Sequence, residues 1–349
     1  MARPRHSARL PSALVDWSLL VAVLLATASG LVSLVSGSPG DAWLFVLHGG
    51  AGVSLLGFLG LKLWRVRHRV RAGVASRSGT VALSVGLSVL AVAALTTGSL
   101  WVLGASISGP WTLLFVHAAL GVTTAVVLIV HLRDRFAVPA RADLGERRAA
   151  LSWLGVVTAG ALAYRASDAL GTRRRFTGSR ERGSEAGNRF PVTAWVADDP
   201  DPVDPAAWHL TVTGLVDRDR ELGDDGVRPE TAGRAVLDCT SGWYSDHEWQ
   251  GVRVGDLLDE AGVRDDARWV QFRSVTGYRW SLPLAEARDA LLATRVDGDR
   301  LSHGHGFPLR LVAPERRGFQ WVKWVEEVRV TRRRDRSEWL AIHVSGLGE

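Results

Sequence analysis

The chain of 349 residues holds a single cysteine, Cys239, and only two lysines, Lys62 and Lys323. One thiol excludes an intrachain disulfide, so cysteine usage argues neither for nor against an oxidising compartment. The scarcity of lysine fits a GC-rich coding sequence and leaves arginine to carry nearly all of the positive charge. The formal net charge is +6, but the basic excess lies largely in short loops between apolar runs. That is the pattern of membrane topology, and it gives no reason to expect nucleic-acid binding. No internal repeat stands out, and charge is nearly absent from long stretches of the first half.

Those stretches are apolar. Four runs, residues 15–35, 43–64, 81–103 and 111–132, have the length of about 20 residues that crosses a bilayer. Arg3, Arg5 and Arg9 precede the first, Arg65, Arg67, Arg69 and Arg71 follow the second, and Arg133, Arg135 and Arg141 follow the fourth. The loops after the first and third carry no Lys or Arg. Because basic loops stay on the cytoplasmic side, this predicts a cytoplasmic tail at 1–14, a four-helix membrane domain at 15–135 and a cytoplasmic linker at 136–150. A shorter apolar run, 149–164, follows Arg147-Arg148 and reads either as a fifth helix or as the relic of a twin-arginine export signal. A signal peptide deep inside a chain is unusual, so an uncleaved fifth helix at 151–168 is favoured. Either reading puts residues 169–349 on the extracytoplasmic face of a multi-pass protein of the cell membrane.

Two histidines lie within the apolar runs. His48 stands seven residues after Asp41 and His117 six after Trp111, in runs that both pass from outside to inside. The two rings are therefore expected at similar depth, near the outer leaflet. An ionisable side chain there is costly and usually functional or paired. Each is followed four residues later by glycine, Gly52 and Gly121, which leaves a gap one turn away on the same helix face. Paired histidines on facing helices suit the iron of a haem b; the alternative is hydrogen bonding between helices, with glycine serving close packing. His131 stands fourteen residues after His117, the spacing for a second haem, but the matching place in the second run is Lys62 and the next histidine, His68, falls in a loop. One haem is expected.

From Phe190 the pattern becomes that of an α+β domain, with strands predicted at 208–213, 269–275 and 309–313 and helices at 254–260 and 284–292. The length is ample for one core. A strand-like Arg234-Ala-Val-Leu-Asp leads into Cys239 and a Gly-Trp turn leaves it, so a thiolate there can point into a cleft. Most lone cysteines are small core hydrophobes, and what changes the reading is the order of motifs around this one.

Leu237-Asp-Cys239-Thr-Ser-Gly-Trp, Trp249-Gln-Gly-Val, Ser274-Val-Thr-Gly-Tyr278, His305-Gly-Phe-Pro-Leu-Arg310-Leu-Val-Ala-Pro314 and Gly318-Phe-Gln-Trp-Val-Lys323-Trp occur in that order along the chain. This succession, over residues 172–332, resembles the molybdenum-cofactor domain of sulfite oxidase-like oxidoreductases. The resemblance implies Mo-molybdopterin, with the Cys239 sulfur on molybdenum, a role suited to a soft thiolate. It implies that Asn188 and Arg189, in Asn188-Arg-Phe-Pro-Val192, face the metal or the pterin, although Gly187 stands where the family often has arginine. His305 and Arg310 would contact the pterin and its phosphate, and Arg316, Arg317 and Lys323 would close over the same anionic tail. Tyr278 stands where the family presents an aromatic residue near the metal; its alternative is a core tyrosine with a satisfied hydroxyl. Trp243 and Tyr244 would shape the substrate entrance.

One departure bears on substrate. Sulfite oxidases follow the cysteine with a segment such as Gly-Asn-Arg-Arg, whereas this chain has Ser241-Gly-Trp-Tyr244, without arginine. Oxidation of sulfite is therefore not the first expectation. The length after Val330 also leaves no room for the dimerisation domain of eukaryotic sulfite oxidases, and the chain is in this more similar to bacterial periplasmic subunits that reduce sulfoxides, which pair with a separate haem membrane protein.

The fold expected is an all-α transmembrane bundle of four plus one helices followed by an α+β, sulfite oxidase-type molybdopterin-binding domain. The function expected is oxygen-atom transfer with a small-molecule substrate, such as S- or N-oxide reduction, with electrons exchanged through haem b and the quinone pool of the lipid bilayer. A sulfite dehydrogenase and a non-catalytic membrane receptor or scaffold are the rival readings.

Overall fold

A computed structural model describes residues 10–75, 79–107, 112–133, 147–170, 174–193 and 198–344. The arginines of the N-terminal tail, Trp111, Arg135, Arg141 and most of the linker expected at 136–150 lie outside the described residues. The chain divides into two compact units, Met1–Gly178 and Ser179–Glu349.

The first unit is helical: α1 (Ser12–Ser33), α2 (Ala42–Ala75), α3 (Gly79–Val102), α4 (Leu113–Leu132) and α5 (Arg147–Leu170). Four stretches, Ser12–Ser33, Pro39–Gly73, Val81–Val102 and Leu113–Leu132, are long and apolar enough to cross a membrane. Leu24, Val89 and Ile129 turn outward from them, as side chains facing lipid do. The Thr112 hydroxyl accepts from the Phe115 amide at 3.3 Å and caps α4. α1 pairs with α2 and α3 with α4.

α2 runs well past the end of its apolar stretch, through Arg65, Arg67, Arg69 and Arg71. Arginine is a good helix former, so the change from apolar to basic sequence does not by itself stop a helix. Arg65 donates to the Leu10 carbonyl at 2.5 Å and Arg67 lies over the Trp64 ring at 4.8 Å.

α5 is not among the four apolar helices, yet it packs closely along α2. A side chain at Gly49 would collide with the Tyr164 ring, one at Gly160 would meet Ser54, and one at Gly57 would touch Val156. Rising numbers on α2 meet falling numbers on α5, so the two are antiparallel. Small residues allow this approach, and the Trp153 indole N–H donates to the Ser18 hydroxyl at 2.8 Å.

The second unit has two sheets. In the first, β1 (Arg180–Glu181), β5 (Trp243–Arg253), β8 (Leu291–Val296) and β10 (Arg310–Val312) lie side by side in that order, with β4 (Thr231–Asp238) paired to β5 and β9 (Asp299–Arg300) to β8. The second sheet has the order β3 (Arg220–Gly223), β2 (His209–Gly214), β11 (Val325–Thr331), β6 (Trp269–Ser274) and β7 (Arg279–Pro283). Helices α6 (Val254–Ala261), α7 (Leu284–Asp289) and α8 (Glu338–Val344) complete it. Trp249, Phe272, Trp280 and Trp321 are almost wholly inside its core.

The helix expected at 284–292 stops at Asp289, and the chain continues as strand β8. Leu291, Leu292, Ala293 and Thr294 are all buried because β8 is covered by strands on both edges and packed on both faces. Such a run carries no alternation from which to tell strand from helix.

At the β5–β8 pairing the register shifts between Gln250 and Gly251. A Cβ on Gly251 would fall on the Leu292 carbonyl oxygen. Gly251→Ala should therefore destabilise the second unit by about 3 kcal/mol, to be measured as a lower denaturant midpoint followed by tryptophan fluorescence.

Candidate functional site

The ladder between β4 and β5 closes at Asp238 and Tyr244, and Cys239 is the first residue of the turn beyond it. Its amide donates to the Trp243 carbonyl at 2.8 Å, and the Gly242 amide returns to the Cys239 carbonyl at 3.0 Å. Gly242 holds φ at +96°, where a side chain would be strained. The Cys239 Sγ is buried, 3.0 Å from the Ser241 Oγ.

Arg317 holds this turn from beneath. Its guanidinium donates to the Asp238 carboxylate at 2.9 Å and to the Cys239 carbonyl at 3.2 Å, and the Ser179 hydroxyl donates to the same carboxylate at 2.6 Å. The next residue, Gly318, comes so close that a Cβ on it would stand 3.2 Å from the Cys239 Cα.

Three further groups gather within electrostatic reach of the thiol or of one another. Arg310 is 5% exposed. It donates to the His305 carbonyl at 2.9 Å and lies over Trp249 at 5.8 Å, but its buried Nε has no partner among the described residues. Burial pushes Arg310 down to about 10, against the pull of Cys239. Lys323, 9% exposed, donates to the Gly304 carbonyl at 3.2 Å and stands over the Trp324 ring at 4.0 Å. Burial and then Arg310 push it down to about 8, opposed by Asp198, Asp199 and Cys239. His305 faces the Phe190 carbonyl through Nε2 at 2.9 Å and the Ser302 hydroxyl through Nδ1 at 2.7 Å. Burial, with the charges of Arg310, Lys323 and His247, outweighs the Phe190 bond and takes it down to about 4. The result is a buried cluster of a guanidinium, an ammonium and an imidazole near the thiol, with Asp198 and Asp199 acting on Lys323 and the Arg310 Nε left without a partner among the described residues, a setting that suits an anion.

The other residues singled out in the sequence take different positions. Arg316 makes a two-pronged ion pair with Glu286, and Arg317 is committed to Asp238, so neither guanidinium stands open beside Arg310. Asn188 accepts from the Ser302 amide at 2.8 Å and donates to the Arg300 carbonyl at 2.9 Å, fixing the segment that leads into His305. Arg189 is exposed. Tyr278 is buried and donates to the Phe319 carbonyl at 2.5 Å; burial, then the charges of Asp198 and Glu338, hold its hydroxyl above the ordinary range. The Trp243 indole donates to Thr193 at 3.3 Å.

Sequence reasoning missed several supports. Asp198, buried, accepts from the Thr276 hydroxyl at 2.5 Å. His247 bridges the Ser245 hydroxyl and Asp297, the latter at 2.6 Å, inside the domain. Burial would raise Asp297, but His247 and the amides of Glu248 and Gly187 outweigh it and hold the carboxyl low. The inward alternation Ser245, His247, Trp249 on β5 was the available hint.

In the first unit the His48 and His117 rings stand 5.9 Å apart, nearly perpendicular at 88°. Nδ1 of His48 lies 2.9 Å from the Ala26 carbonyl, and Nδ1 of His117 lies 2.9 Å from the Ala94 carbonyl. Two glycines not singled out in the sequence make room: a Cβ on Gly30 would come 3.1 Å from the His48 ring and one on Gly98 would come 2.8 Å from the His117 ring. A Cβ on Gly121, by contrast, meets nothing within 4 Å. The hairpins α1–α2 and α3–α4 thus repeat one arrangement, Ala-x3-Gly facing His-x3-Gly, although no repeat stands out in the sequence. Four positions in each hairpin carry it and the rest differ, so the sequence alone hides it. Lys62 is ion-paired with Asp16, and His68 is exposed.

The sequence matches the family described as oxidoreductase molybdopterin binding domain over residues 197–339. An uncharacterized oxidoreductase, YuiH of Bacillus subtilis, is 34% identical over 155 residues, 43% of this chain and 78% of that protein. A putative protein-methionine-sulfoxide reductase subunit, YedZ1 of Azospira oryzae, is 30% identical over 147 residues, 41% of this chain and 56% of that protein. Mitochondrial sulfite oxidase of Mus musculus is 36% identical over 115 residues, 30% of this chain but only 21% of that protein.

The lowered His305 gives a pH test. The unfolded chain takes up this proton near 6.5 and the folded domain only near 4, so stability that is full above 6.5 is lost as pH falls toward 4. In cofactor-free protein, His305→Gln keeps a donor for Phe190 and should make the decline of Tm between pH 6.5 and 4 shallower than in wild type.

Proposed function

The chain belongs to the oxidoreductases with a molybdopterin binding domain, and from that premise we propose that it reduces a small S- or N-oxide by oxygen-atom transfer, using electrons drawn from quinol through a haem b in its own membrane unit. That it is an oxidoreductase follows from family membership. The observation that carries the cofactor reading is the buried cationic cluster near Cys239, with the Arg310 Nε left without a partner among the described residues; the choice of a neutral oxide rests on the segment after Cys239 and the electron route on the paired histidines.

These residues fit a molybdenum pyranopterin. A buried thiol suits a soft metal, and a guanidinium, an ammonium and an imidazole suit a phosphate tail. Such a group, when bound, supplies two-electron oxygen-atom chemistry. The chain's share is to hold and orient it. Arg317 and Asp238 fix the turn that carries Cys239, and Asn188 and Ser302 set the ring of His305. Lys323 keeps a proton on Nζ at neutral pH, since it titrates at about 8. Ser241-Gly-Trp-Tyr244 brings no arginine to the entrance, which favours a neutral oxide over the sulfite anion, and the name of the YedZ1 relative points to sulfoxide. The sulfite oxidase relative keeps the opposite reaction as the second reading.

For haem, the two rings stand close together on facing helices, 5.9 Å apart, and His48 and His117 are the residues that would hold its iron. A carbonyl on each Nδ1 selects the tautomer whose Nε2 is the ligand. The antiparallel packing of α5 on α2 favours a fifth crossing; with the basic loops taken as cytoplasmic, the tail 1–14 and the linker 136–150 are cytoplasmic and residues 169–349 outside.

The first test is elemental analysis of detergent-purified full-length protein from a cofactor-competent host. Wild type should carry about one molybdenum per chain and Cys239→Ser almost none; folded wild type without molybdenum would sink the reading. Anaerobic assays with a sulfoxide and with sulfite then choose the direction. In the same preparations, the reduced-minus-oxidised spectrum should show a b-type haem that is lost in His117→Ala. An unchanged spectrum in that variant would remove His117 as a ligand.

A further inference from the structure

One edge of the second unit has a composition that neither its core nor its cofactor pocket requires. β11 ends at Thr331, and the chain continues as Arg332, Arg333, Arg334, Asp335 and Arg336 into α8. Arg332 pairs with Asp266. Arg334 pairs with Glu338 at 2.5 Å and lies over the Trp280 ring at 5.1 Å. Asp335 is taken by Arg279 at 2.8 Å and, although burial opposes it, is held down at about 2 by Ser337 and Arg279. Arg333 and Arg336 are exposed and have no carboxylate partner among the described residues.

The first turn of α8 adds the apolar half. Glu338 and Ala341 face inward, while Trp339 is 47% and Leu340 62% exposed. Trp339 is not loose: its ring stands edge-on to Trp280 at 5.1 Å and lies 6.3 Å from Phe319. The core thus fixes one side of an indole whose other side, with Leu340 next to it, faces outward beside two uncompensated guanidinium groups.

Tryptophan and leucine next to unpaired arginine is the chemistry of a bilayer interface, where the indole lies at headgroup level and cations meet anionic lipid. A bilayer is the occupant this chemistry favours, and the same chain has four helices long and apolar enough to cross one. We propose that this edge docks on anionic lipid headgroups, with Arg333 and Arg336 on phosphates and Trp339 and Leu340 at the level of the glycerol backbone. The inference rests on the membrane reading of the first unit and not on the cofactor.

The test uses full-length protein in nanodiscs, with bimane on Leu340→Cys and, as control, on Ala206→Cys. Ala206 precedes β2, which runs parallel to β11, so it lies beyond the opposite strand end. Unsubstituted protein, whose one cysteine is buried, gives the labelling blank. In phosphatidylglycerol discs with a nitroxide-headgroup lipid, the Leu340→Cys probe should be quenched at least about twofold more than the control, and in phosphatidylcholine discs the excess should vanish. Arg333→Glu with Arg336→Glu should lower the docked-to-undocked ratio about fivefold per charge, with Tm and molybdenum content unchanged. Equal quenching of the two probes in anionic discs, or quenching indifferent to the charge reversal, would overturn the proposal. Molybdenum content reports on the cofactor reading separately.

Discussion

The ion pair between Asp238 and Arg317 is the contact on which the site depends. Its side chains are 2% and 4% exposed, so it is among the most deeply buried charge pairs of the domain. Desolvation makes such a pair a poor source of net stability, but removing one partner leaves an uncompensated buried charge that costs about 3 to 5 kcal/mol. Here the pair joins the end of β4 to the turn after β10. Because Arg317 also binds the Cys239 carbonyl, the thiol's position follows from it, and Gly318 is needed to let the two segments meet.

Around that fixed point the domain buries a guanidinium, an ammonium and an imidazole, of which Lys323 feels Asp198 and Asp199 while the Arg310 Nε has no partner among the described residues. Arg310 and Lys323 titrate below their ordinary values because folding takes them out of water, and His305 is kept neutral by the same burial. Burying these groups carries an electrostatic cost that an anion would relieve. The pocket is a better guide to ligand class than to substrate. Its charges suit the tail of a cofactor, and the nearby Ser241-Gly-Trp-Tyr244 segment offers little to an anionic substrate.

Much of this was legible in the sequence where a residue's chemistry is tied to a motif. Cys239, His305, Arg310 and Lys323 are recognisable in order, and the four apolar helices can be read from length alone. What was not legible depends on partners far along the chain. Nothing near Arg316 or Arg317 announces that Glu286 and Asp238 will engage them, and nothing near Asn188 announces Ser302. The reach of α2 past Trp64 and the strand at Leu291–Val296 were hidden for a different reason: arginine keeps a helix going, and a strand buried on both faces has no period. Gly30 and Gly98 were overlooked because a glycine facing a ring from another helix leaves no pattern within its own.

The likeness of the two helical hairpins divides the support of the ring pair evenly between them. Each supplies one imidazole, one carbonyl to orient it and one glycine to admit it, so neither half is specialised as host or guest. A single hairpin meeting a second copy of itself about a twofold axis would bring the same ring pair together. The ring pair therefore needs only four positions in each hairpin, and substitution at any one of them, Gly30 or Gly98 included, would disturb one ring while leaving its counterpart supported.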